Sequence, residues 1–218
     1  MPELTPEDIV GAVTAAAGAM RGSGGAEWTT QARDTDWTIR ARDLDWSCRR
    51  TLNHSIDAVL WYATNLATMS AEGVGNVRDG KKDETPVPEL LHALELSGFI
   101  LARVVQGSPP GARGFHDAGM ADATGFLAMG CDETLVHAYD VTAALGLAFS
   151  PPADLCDRTV RRLFPWAPEH GDPWERLLWC NGRIELPDHP RLGPMWGWWC
   201  APLEEWDGTP RTETDSVN

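Results

Sequence analysis

Basic residues are scarce. Eighteen Lys and Arg stand against 32 Asp and Glu in 218 residues, a formal net charge of -14. Binders of nucleic acid or of anionic membranes cluster Lys and Arg against phosphates, so this balance argues against a partner held by phosphate neutralisation. No apolar run reaches the roughly 20 residues of a membrane span. Glu3, Glu7 and Asp8 stand where a signal peptide would carry positive charge. Neither a nucleic-acid nor a membrane partner is expected, and the expected location is the cytoplasm. Cysteine pairs are missing as well: Cys48, Cys131, Cys156, Cys180 and Cys200 are odd in number and contain no Cys-x-x-Cys. They read as reduced thiols packed as small apolar residues. Repetition is limited to one short echo, Arg33-Asp-Thr-Asp-Trp37 and Arg42-Asp-Leu-Asp-Trp46, too few copies for a repeat architecture.

What remains is a globular composition, 43% hydrophobic and 23% charged, long enough for a substantial core. Thr5-Pro6-Glu7-Asp8 combines a capping hydroxyl, proline at the first helical position and early acid, and so starts a helix that Gly22 to Gly25 ends. Leu52, Ile56, Val59, Leu60, Ala63 and Leu66 form the stripe of a second helix over about Ser47 to Met69, capped by Asp45 or Ser47. Glu72 to Pro88 reads as a loop, Pro88 to Gly107 as a third helix, and Asp117 to Leu145 as a fourth. Shorter helices follow, one ending at Leu163 and one capped by Asp172-Pro173 and stopped by Asn181-Gly182. Eleven tryptophans, concentrated toward the C-terminal end, predict a region held by aromatic burial. The expected fold is all-α: an antiparallel four-helix bundle over 1–147, a Trp-rich, partly irregular extension over 148–208, and a disordered tail over 209–218.

Chemistry concentrates in Gly125 to Val141. On a helix Glu133 and His137 are i, i+4 neighbours on one face, with Asp140 one further turn along. Apolar residues all round mark the helix as buried. A buried carboxylate and imidazole must meet a partner, which leaves an ion pair, a packing network or a metal ion. His54 lies opposite the apolar stripe of the second helix, beside Ala58, Trp61 and Asn65, a strange face for open solvent. Two imidazoles and one carboxylate, His54, Glu133 and His137, match the three-ligand pattern of catalytic zinc sites. Asp140 could orient a ligand histidine or pair with Arg49 or Arg50. His92 reads as partly exposed with no special role, His170 and His189 as solvated, and Tyr139 and Trp61 as core.

The run Leu44-Asp-Trp-Ser-Cys-Arg-Arg-Thr-Leu-Asn-His54, with Asp57 and Trp61-Tyr62-Ala63, resembles the N-terminal metal-binding domain of the mycothiol-dependent maleylpyruvate isomerase family, within the DinB-like bundles. Glu133-Thr-Leu-Val-His137-Ala-Tyr-Asp140 resembles the second motif of that family, and the likeness covers roughly Leu4 to Leu147. Arg162-Leu-Phe-Pro-Trp166, Asp172-Pro-Trp174, Leu178-Trp179 and Asn181-Gly-Arg183 are similar to the tail of short actinobacterial members. The resemblance implies a divalent ion, usually zinc, on His54, Glu133 and His137, and mycothiol as thiol cosubstrate. The family's isomerase carries a further C-terminal domain for which 218 residues leave no room, so maleylpyruvate isomerisation itself is not expected.

A zinc ion with one vacant position lowers the pKa of a bound thiol and presents the nucleophilic thiolate. The expectation is therefore a thiol transferase or isomerase acting on a small electrophile. The same ligands would serve a hydrolase, and the fold would equally serve a non-catalytic binding protein. No residue is singled out as general acid or base, and the oligomeric state stays open.

Overall fold

The computed structural model describes residues 3–22, 36–75, 85–193 and 196–210. Arg33 to Thr35 of the sequence echo, the middle of the Glu72–Pro88 loop and residues 211–218 of the expected tail lie outside the described residues. Thr209, at the start of that tail, donates from its backbone N–H and its hydroxyl to Asp207 at 2.9 and 2.6 Å.

The chain is mostly helical. Helix α1 (Pro6–Met20) begins where the sequence places it: Pro6 needs no hydrogen-bond acceptor, and the Thr5 N–H donates to the Asp8 carboxylate at 2.8 Å. Helix α2 (Cys48–Thr68) is capped by Ser47 rather than Asp45, its hydroxyl accepting from the Arg50 N–H at 3.2 Å. Because this cap fixes the start of the helix that carries His54, Ser47→Ala is expected to cost about 1 kcal/mol and lower the melting temperature by roughly 2–4 °C in a thermal scan.

Helix α3 (Val87–Gly107) follows. By length and composition alone, with a mean hydropathy of 1.2, it could cross a membrane, contrary to the reading that no segment could. Here Leu90, Leu91, Leu94 and Leu101 are buried, and the helix packs against α1 and α2.

The fourth helix departs from expectation at its start. Residues Arg113–His116 (β1) and Gly119–Asp122 (β2) form an antiparallel hairpin, with Arg113 opposite Asp122 and His116 opposite Gly119. Gly119, at φ 129, takes a backbone conformation that would end a helix begun at Asp117. Asp122 then caps α4 (Ala123–Ala144), its carboxylate accepting from the Gly125 N–H at 2.6 Å. Every residue of α4 from Gly125 to Val136 is buried, as an all-round apolar helix requires.

The four long helices contact one another in the cyclic order α1, α3, α2, α4. Ile9, Leu52, Ile56, Leu94, Leu101, Phe126, Leu127 and Met129 fill the space between them. Each such side chain contributes roughly 1.5–3 kcal/mol of burial.

Helices α5 (Ala153–Leu163) and α6 (Pro173–Cys180) pack on each other and on α4. The tryptophans do cluster, with Trp166 against Phe164 and Trp179 at ring distances of 5.7 and 5.8 Å, and Trp196 against Trp198 at 6.2 Å. A cation shares the task. Arg162 of α5 reaches Asp122 at 2.5 Å, the Thr124 hydroxyl at 2.9 Å, and the carbonyls of Trp199, Cys200 and Ala201 at 3.0 to 3.1 Å. It thereby ties the irregular C-terminal segment to the start of α4. Beyond α6 the described part of that segment includes a bridge between Leu186 and His189, a bridge residue at Gly197 and a 3₁₀ turn at Leu203–Glu205.

Candidate metal centre

Helices α2 and α4 are in contact, and the pairing brings together three residues that lie up to 83 positions apart in sequence. His54 Nε2 stands 2.9 Å from Glu133 Oε1, and His137 Nε2 stands 3.1 Å from the same oxygen. One ligand atom from each residue lies within 4.8 Å of the others, a group that could hold a metal ion. A four-coordinate ion with bonds of about 2.0–2.1 Å has ligand-to-ligand edges of roughly 3.3 Å, close to the two edges that Glu133 makes with the imidazoles, while the imidazole nitrogens lie within 4.8 Å of each other. The site is open on one side: the His54 side chain is 41% exposed, against 13% for His137 and 7% for Glu133.

Distance alone would make this a pair of ion-paired histidines. Alignment argues otherwise, because Glu133 Oε1 is buried without a hydrogen-bond partner although two ring nitrogens stand within 3.1 Å. A ring N–H that aims past the oxygen does not satisfy it. The two nitrogens and the oxygen instead border a common point, where a cation would satisfy all three. Two neutral imidazoles and one carboxylate around a divalent ion leave a net charge of +1, suited to one further anionic ligand.

Without a metal, protons take its place. Burial is the largest influence on Glu133 and opposes its charge, but the attraction of the adjacent His137 and His54 outweighs it and holds the carboxyl below its ordinary range. Burial likewise disfavours the charged form of His137, and the charges of Glu133 and Asp140 override it, raising the imidazole to about 9.

Asp140 meets both a histidine of the triad and an arginine. Its Oδ2 lies 3.2 Å from His137 Nδ1, which assigns the proton to Nδ1 in the neutral ring and leaves the Nε2 lone pair toward Glu133. The arginine that meets Asp140 is neither Arg49 nor Arg50 but Arg183, at 2.8 Å through Nη2. Arg49 donates to the Thr85 carbonyl, and Arg50 stacks over Trp46. Removing the carboxylate by Asp140→Asn is expected to weaken metal binding by about 10–100-fold, measured by competition with a chelating dye, while leaving the three ligands in place.

Several neighbours escaped the sequence reading. Trp46 packs edge-on against His54 at 4.8 Å and tilted against His137 at 6.4 Å, walling one side of the triad. Arg183 arrives from beyond α6, and nothing local in sequence connects it to Asp140. His116 of β1 is buried among Trp61, Tyr62 and Trp198. Its Nδ1 accepts from the Ala118 N–H at 3.0 Å, and burial lowers its pKa to about 4, so the ring is neutral. Asp132, beside Glu133, is buried with its pKa raised to about 7 by that burial, and accepts from Asn181 and Trp198 at 2.7 and 3.0 Å. Trp61 is half-buried and donates to the Val74 carbonyl, while Tyr139 packs on Trp174. His92, His170 and His189 are exposed and stay apart from the triad.

The protein's own thiols are poor nucleophiles. All five cysteines are free and buried, and burial raises Cys48 to about 11 and Cys156 to about 12. A cleft of about 470 Å³ between the start of α1 and α5 shares no residue with the triad. Its arginines are already engaged, Arg158 by Asp8 and Asp154, Arg161 by Asp157 and Arg162 by Asp122.

Comparison of the chain with family models, with curated proteins and with solved structures gives no match.

Proposed function

We propose that this chain is a divalent-metal-dependent thiol transferase or isomerase, built on a DinB-like four-helix bundle and acting on a small electrophilic substrate. The observation that carries the proposal is the convergence of His54, Glu133 and His137 on one point beside a buried, unaligned carboxylate oxygen, with the His54 side open. The cyclic contacts of the four long helices support the bundle. Two imidazoles with one carboxylate suit zinc. The likeness of Leu44–His54 and Glu133–Asp140 to the mycothiol-dependent maleylpyruvate isomerase family supports mycothiol as the thiol.

When bound, a divalent ion with a vacant coordination position supplies a Lewis acid that makes a thiol acidic at neutral pH. The chain supplies the rest. Among the described residues, Glu133 would provide the only negative charge in direct reach of such an ion. Asp140 and Arg183 hold His137 in the tautomer that offers Nε2. Trp46 shields the imidazoles on one side, opposite in effect to the open approach at His54. With every cysteine buried, the thiol comes from a cosubstrate.

Metal analysis of the purified protein comes first. Incubation of the loaded protein with mycothiol and a panel of electrophiles, followed by mass spectrometry, is then expected to give a thioether adduct or an isomerised substrate. Formation should cease on metal removal. Loaded protein that hydrolyses esters or amides without thiol, or that binds the electrophiles unchanged, would replace this reading with a hydrolase or a binding protein.

A further inference from the structure

The outward face of α3 is unusually apolar and symmetrically charged. The inward face is spent on α1 and α2: Leu90, Leu91, Leu94, Ser97, Gly98, Leu101 and Ala102 are buried. Gly98 lets α1 approach closely, since a Cβ there would stand 2.6 Å from Val13. On the opposite side Leu96, Phe99 and Ile100 are 46%, 48% and 46% exposed. With Arg103 and Val104 they line a shallow groove.

The pattern along this face is centred on Leu96. At 100° per residue, Glu89, His92, Ala93, Phe99, Ile100 and Arg103 all fall within about 60° of it. Glu89 lies seven residues before the centre and Arg103 seven after it, about 21 Å apart along the axis. Both are exposed, and among the described residues the only hydrogen bond from the Arg103 side chain goes to Gln106 on its own helix, at 2.8 Å. Reversing the helix about Leu96 exchanges acid for base, and Ala93 with His92 for Phe99 with Ile100. A surface that is its own complement under a two-fold rotation is what an isologous interface requires.

From this we infer that the chain pairs with a second copy of itself through α3. The two helices run antiparallel about a two-fold axis beside Leu96, and Glu89 of each copy meets the partner's Arg103. The antiparallel arrangement also sets the positive end of each helix near the negative end of the other. An anionic membrane surface is disfavoured as occupant by the net charge of -14. The inference is independent of the metal site, which lies on α2 and α4.

Sedimentation velocity over a concentration series tests the pairing with the full chain. The wild-type protein is expected to sediment as a dimer that dissociates on dilution, and Leu96→Glu to raise the dimer Kd by roughly 30-fold or more. Arg103→Glu alone and Glu89→Arg alone should each raise it by about tenfold, and the double swap should return it close to wild type. Rescue by the second swap separates a lost contact from a damaged fold. A wild-type chain that stays monomeric at about 100 μM, a dimer indifferent to Leu96→Glu, or single swaps that the double swap does not rescue would each overturn the inference. So would a monomer that floats with zwitterionic phospholipid vesicles unless Leu96 is replaced.

Discussion

Glu133→Gln is expected to reduce bound metal from about one ion per chain to background after dialysis, as read by inductively coupled plasma mass spectrometry. Glutamine preserves the shape of the side chain and removes the charge. Glu133 is the only anion among the three converging groups, and its Oε1 borders both imidazoles. Loss of an indirect support such as Asp140 costs about 10–100-fold in affinity, so loss of a direct anionic ligand should cost more than about a hundredfold. His92→Ala is the matching control: that imidazole is exposed and remote, and metal content should not change. A Glu133→Gln protein that retains stoichiometric metal would remove the triad from consideration as the site.

Metal affinity is expected to rise by about tenfold per pH unit between pH 7 and 9, and binding at pH 7 to release about one proton. The cause is His137. Glu133 and Asp140, working against burial, raise its pKa to about 9 in the metal-free protein, so a proton must leave before Nε2 can coordinate. Calorimetry in buffers of different ionisation enthalpy counts that proton directly. The stability of the metal-free chain should move the opposite way. His137 has a folded pKa above its unfolded value of about 6.5, so its contribution is fully present below that pH and is lost as pH rises through about 9. Glu133 is depressed, so its contribution is present above its unfolded pKa of about 4.3 and is lost as pH falls. The pair therefore stabilises the metal-free protein most between about pH 4.5 and 6.5. Under saturating metal the two trends cancel, because neither the loaded folded chain nor the unfolded chain holds that proton, and melting temperature should change little from pH 7 to 9. Equal pH slopes with and without metal would show that His137 does not exchange a proton for the ion.

Much of the fold was legible because helices announce themselves locally. Thr5-Pro6, Ser47 and Asp172-Pro173 start their helices, and Gly22, Met69 and Gly182 follow the ends of theirs with positive φ. The start of α4 falls six residues beyond Asp117 for an equally local reason. Asp117 and Asp122 are both plausible caps, and only the pairing of β1 with β2 selects the second. The site was half legible. Glu133 and His137 are one turn apart on a helix too apolar to leave them unpaired, and that contradiction is visible in the residue order. His54 stands out only by the company it keeps on its own helix.

The residue sequence by itself determined the helices, the burial of α4 and the presence of a carboxylate and an imidazole within it, because periodicity and capping act over a few residues. Tertiary structure alone decided that His54 Nε2 meets Glu133, that Arg183 rather than Arg49 or Arg50 holds Asp140, and that Trp46 walls the triad. Apart from Trp46 on His54, 8 positions away, those contacts join residues 43 to 91 positions apart. They depend on how rigid helices settle against one another, where a shift of one turn would carry any of these side chains about 5 Å away.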